Sequence, residues 1–164
     1  MIVLKEISAH VAYCAQYNVF SMKELISTDG EKNEFFELQA LMEKENPYVT
    51  VPDIGEDYNY IEYPFKQNQD GTYKIVYYDK VDKAGIDNQD GIYKFIQKPT
   101  EIVVSLDHVG SFDTIHETFY KIYQWIKEKG FVVTGTGRCC AIHGPWDRAH
   151  ECDYVNECQV PICK

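Results

Sequence analysis

The chain has 164 residues, 45% of them hydrophobic and 14% aromatic, which suits one packed globular domain, or one built of two similar halves, and excludes a disordered chain. Sixteen basic against 26 acidic side chains give a formal charge of −10, which excludes unaided nucleic-acid binding, because phosphate neutralisation needs clustered Lys and Arg. No apolar run approaches the roughly 18 residues needed to cross a membrane.

The N-terminus, Met1-Ile2-Val3-Leu4-Lys5-Glu6-Ile7, lacks the basic start and long apolar stretch of a signal peptide, so a cytoplasmic location is expected. Six Cys are then expected as reduced thiols. The acidic surface either serves solubility or draws in a cationic ligand.

In chain order, residues 2–17 are rich in Val, Ile, Tyr and Ala and predict one strand. Asp29-Gly30 breaks it. Thr28 and Glu31 have capping-box spacing, and Phe35, Leu38, Leu41 and Met42 recur at helical intervals until Pro47. Pro52 and Gly55 mark a loop. Residues 58–65 and 73–81 are aromatic, β-branched runs separated by a segment ending in Asp70-Gly71, the signature of a hairpin. Residues 82–91 are polar and turn-rich and read as a connector.

Residues 93–106 predict a further strand region interrupted by Pro99. Phe112, Ile115, Phe119, Ile122, Tyr123 and Ile126 then form one helical stripe that Gly130 terminates. Residues 131–142 and 153–162 predict two last strands, joined by a turn around Gly144-Pro145-Trp146-Asp147. The order strand, helix, strand, strand thus occurs twice, over about 1–82 and 93–163, inside a single domain.

His108-x-Gly110, the helix with Phe119-Tyr120 and Trp125-Ile126, Lys129-Gly130, Gly135-x-Gly137 and the closing run Asn156-Glu157-Cys158-Gln159-Val160-Pro161-Ile162 together resemble the GyrI-like (gyrase-inhibitor-like) effector-binding domain. This domain also forms the C-terminal sensor of multidrug-responsive regulators of the MerR and AraC classes. The resemblance implies an α+β fold: duplicated strand-helix-strand-strand units forming one antiparallel sheet, two main helices on one face and a ligand cleft on the other. It also implies a hydrophobic, often aromatic and cationic, small-molecule ligand without a cofactor. Some free-standing members resemble hydrolases of reactive small molecules, and the founding member binds DNA gyrase. With no helix-turn-helix before Ile2, the chain is either free-standing, which the start at Met1 favours, or the sensor part of a longer regulator. A protein partner would be that regulator's DNA-binding domain or gyrase.

Glu157 occupies the position of the family's acid, on a strand where it shares a face with Val155 and Gln159 and is expected to meet a largely apolar surface. An ionised acid there needs a partner. A bound organic cation is one, held also by cation–π attraction; a neighbouring backbone or basic group, to which Glu157 hydrogen-bonds and so merely fixes the sheet, is the other. In an enzyme, Glu157 would activate water.

Tyr154 aligns with an aromatic of the drug pocket in the sensing relatives, although alternation puts it opposite Glu157 unless a bulge intervenes. Cys139 falls where the best-studied relative has a second acid. Tyr13, Tyr63, Tyr77, Tyr78 and Trp146 are further candidate walls, each equally a core or sheet residue. His108 is expected to stabilise the strand-to-helix corner. Cys139, Cys140, His143, His150, Cys152, Cys158 and Cys163 lack the paired spacing of a zinc site, so no metal is expected.

Overall fold

A computed structural model describes residues 1–27, 31–52, 59–64 and 66–164. In chain order its elements are β1 (Val3–Ile7), β2 (His10–Val19), α1 (Glu34–Glu45), β3 (Asn59–Glu62), β4 (Tyr73–Val81) and β5 (Lys94–Lys98). There follow β6 (Glu101–Val109), α2 (Ile115–Lys129), β7 (Val132–Val133), β8 (Arg138–His143) and β9 (Val155–Cys163). Thr28 of the expected capping box, the Asp29-Gly30 break, Gly55, Tyr58 and Phe65 lie outside the described residues.

The chain divides into two compact units: unit I, Met1–Ser8 with Thr100–Lys164, and unit II, Ala9–Pro99. In unit I the strand order is β1-β6-β9-β8, with β7 also on β9; in unit II it is β3-β4-β2-β5. Every pairing within a unit is antiparallel. The fold is α+β, each unit carrying one helix of three turns or more.

In unit I, Ile115, Phe119, Ile122 and Ile126 fall on one side of α2 and are buried there with Thr118. Gly130 ends the helix at φ 75°, its N–H reaching Ile126 O and Lys127 O, a left-handed stop that glycine makes without strain. His108 holds the entry to the helix: Nδ1 lies 2.7 Å from Thr118 Oγ1 and Nε2 lies 2.9 Å from Ser111 O. Its role at the corner is thus structural.

In unit II, Asn33 caps α1 by accepting from Phe35 N–H at 3.0 Å. Phe35, Leu38 and Met42 are buried, and Phe35 stacks on Tyr77 with ring centroids 4.1 Å apart. Asn46 closes the helix, donating to Met42 O before Pro47 forbids another turn. The β3–β4 hairpin forms, and Gly71 takes φ 86° in its turn.

Two of the expected strands are each divided in the structure. The strand read over 2–17 is two strands, because β1 pairs with β6 whereas β2 pairs with β4 and β5. β1 belongs to unit I with the later residues, and β5 to unit II with the earlier ones. The strand read over 131–142 is also two, β7 and β8. Between them Gly137 lies so close to α2 that a Cβ there would sit 2.9 Å from Phe119 Cε1. In the last run a 3₁₀ turn, Glu151–Asp153, precedes β9.

Candidate functional site

β9 is the central strand of unit I, flanked by β6 and β8, and nearly all of it is buried. Directly opposed residues of neighbouring strands share a face. His108, which bonds to α2, opposes Asn156, so Asn156 and Cys158 face the helix while Glu157 and Gln159 face away from it. Asp107 and Cys140 oppose Glu157, and Ser105 and Arg138 oppose Gln159. Glu157 thus lies at the centre of the face of unit I without the helix, with Asp107 opposite it on β6.

That carboxylate is 9% exposed and is not surrounded by apolar groups as its strand suggested. Oε2 accepts from Gln159 Nε2 at 2.7 Å, Ser105 Oγ at 2.8 Å and Lys5 Nζ at 3.0 Å; Oε1 accepts from Lys5 Nζ at 3.1 Å. Burial alone would push its pKa up. Donation from Gln159, Ser105 and Lys5 outweighs burial and holds it below the usual glutamate range. Behind it, Arg138 donates to Gln159 Oε1 at 2.9 Å and to Glu101 Oε2 at 2.7 Å. The result is a chain of polar groups, Glu101, Arg138, Gln159, Glu157 and Lys5, across the sheet, in which charges alternate.

The other candidates divide by register. Cys139 opposes Cys158, faces α2 and is 1% exposed, so it does not share Glu157's face; Cys140 is the residue that stands beside the acid. Burial pushes the Cys139 and Cys158 thiols up, and both behave as core residues. Tyr154 is 8% exposed and ends the 3₁₀ turn ahead of β9. The bulge is present, but in β8 between Ala141 and His143. Trp146 is half exposed and lies over its own turn, against Gly144.

In unit II, Tyr13 is fully buried, donates to Asp79 Oδ2 at 2.6 Å and packs with Tyr77, which stacks on α1, so both belong to the helix-side core. Tyr63 stacks on Tyr73 at 5.3 Å. Tyr78 lies on the other face, stacked on Tyr60 at 4.8 Å, with Lys98 Nζ 5.0 Å from its ring and 3.8 Å from Glu62. A cavity of about 500 Å³ opens on that face, with Cys14, Gln16, Val76, Tyr78 and Ile96 among its walls. All six cysteines are free thiols.

Lys5, Ser105 and Arg138 were not singled out from the sequence. Alternation from Val103 to Asp107, and from Arg138 to Cys140, carries a signal for two of them. Lys5 gives none, since 152 residues separate it from its partner.

No protein-family model matches the chain, and no curated protein does. Solved structures do. The C-terminal domain of EcmrR shares 24% identity and a TM-score of 0.78, covering 100% of this chain and 98% of its own. The EcmrR chain in a cryo-EM structure of an EcmrR–DNA complex gives 23% and 0.80, covering 100% of this chain; this chain spans 57% of that one's length. A hydrolase from Listeria innocua gives 12% and 0.61, covering 99% and 91%. SAV2435, solved bound to tetraphenylphosphonium, gives 11% and 0.54, covering 99% and 94%. The chain therefore has the α+β fold of the EcmrR C-terminal domain, an antiparallel sheet with helices.

Proposed function

We propose that this chain is a small-molecule effector-binding module that captures a hydrophobic organic cation on the face of unit I opposite α2, with Glu157 as the charge complement. The observation that carries this reading is a buried Glu157 at the centre of that face, held by Ser105 and Gln159, with the partly exposed Lys5 as its counter-charge. Burying a carboxylate costs several kcal/mol that a hydrophobic isostere would avoid. A site that needs negative charge accounts for keeping it.

The likeness to a domain of EcmrR and to SAV2435, which was solved with a lipophilic cation, supports the same reading. A multidrug-type ligand range, and an output passed to the DNA-binding part of a regulator, belong to this proposal. Titration calorimetry with tetraphenylphosphonium tests it. Binding that weakens at least about tenfold in Glu157→Gln, roughly 1.4 kcal/mol, is expected; equal affinity in both proteins would overturn it.

A second reading, hydrolysis of electrophilic small molecules with Glu157 activating water, draws on the likeness to the Listeria hydrolase. The same carboxylate argues against it: with three donors on Oε2 and its pKa held low, it is a weak base. Product formation that disappears in Glu157→Gln would reverse this preference.

A further inference from the structure

Lys5 Nζ sits between the two oxygens of Glu157, at 3.1 and 3.0 Å, in the position a ligand's ammonium group would take. The pair is asymmetric. The Glu157 side chain is 9% exposed and is anchored from below by Ser105 and Gln159, whereas the Lys5 side chain is 35% exposed. Lys5 also comes from β1, the terminal strand in the order of unit I, where Val3 and Leu4 are each 43% exposed. A lysine ammonium is strongly hydrated and rides on a flexible four-carbon stem, so water can replace its partners when it turns out. If Lys5 leaves, the carboxylate keeps two donors and its position.

We infer that Lys5 is the specificity-determining residue of this site: a resident ammonium that an incoming cation must displace. The inference rests on the binding reading given above. A tethered competitor acts at an effective concentration on the order of millimolar or more. A small primary amine offers Glu157 nothing that Lys5 does not already supply, so it is rejected. A large cation with delocalised charge is more weakly hydrated than an ammonium and carries apolar surface that Lys5 lacks, so it wins. Neutral ligands leave the pair closed. Selection for hydrophobic cations therefore arises from what the site already contains.

The test compares wild type, Lys5→Met, Lys5→Arg and Glu157→Gln in titrations with tetraphenylphosphonium and with butylammonium, each variant first checked for folding by thermal melting. Lys5→Met removes the competitor and keeps the apolar stem. It is expected to bind tetraphenylphosphonium about five- to tenfold more tightly, the range of a partly exposed ion pair, and to gain measurable butylammonium binding. Lys5→Arg keeps a cation in place and is expected to do neither. A purely structural Lys5 would give weaker or unchanged binding in Lys5→Met. That result, with Glu157→Gln still weakening wild-type affinity, overturns the inference and leaves the binding reading standing. If Glu157→Gln changes nothing, both fall.

Discussion

Arg138 Nε donates to Gln159 Oε1 at 2.9 Å, and this bond decides what Glu157 meets. Arginine has donors only, so it claims the carbonyl end of the amide and turns Nε2 toward Glu157. The 2.7 Å bond from Gln159 to Glu157 follows, and Arg138 is itself held by Glu101 at 2.7 Å. The acid at the centre of the face is prepared by a residue that none of its own hydrogen bonds reach.

Gln159→Glu replaces the donor by a second carboxylate on the same buried face. Like charges at this distance cannot both stay ionised without cost. The variant is expected to lose roughly 1–3 kcal/mol at pH 7.5, and less at pH 4.5, where one carboxyl takes a proton. Urea unfolding at the two pH values measures both.

Asp79 carries a separate pH signature. It is 2% exposed, and burial pushes its pKa up to about 6 despite donation from Tyr13 and Tyr77, with Glu43 adding to the rise. A folded value above the unfolded one means the folded protein holds the proton longer. The stabilising contribution is full below the usual 3.8 and is lost as pH rises through about 6. The gap amounts to at most roughly 3 kcal/mol. Asp79→Asn keeps an acceptor for Tyr13 and removes the ionisation, so it is expected to flatten this fall and to be at least as stable as wild type at pH 7.5. Chemical denaturation between pH 4 and 8 is the check.

Gly137 is a packing residue. A Cβ would meet Phe119 Cε1 at 2.9 Å and the Tyr123 hydroxyl at 3.2 Å, and Phe119 is fully buried and has nowhere to go. Gly137→Ala is expected to cost about 1–3 kcal/mol by overpacking. A lowered melting temperature, with the α-helical signal retained in circular dichroism, would show it.

What the sequence disclosed follows the range of each interaction. α2 was legible because its stripe and its terminal glycine are local signals, and so was the Asp70-Gly71 hairpin. Glu157 could be picked out as an acid in an apolar strand. Its surroundings could not, because alternation shows which residues share a face but not which strand lies alongside. The same limit explains Cys139, a single position from the residue that opposes the acid, and the single strand read over 2–17, whose two parts pair with different partners. Lys5 is the clearest case: it lies in the first strand and its partner in the last.

A crystal structure of the chain with tetraphenylphosphonium tests the central claim most directly. The cation is expected on the face of unit I opposite α2, packed against the Glu157 carboxylate, with the Lys5 ammonium moved from its 3.0 Å contact into solvent. A cation bound elsewhere, with the Lys5–Glu157 pair intact, would contradict the account.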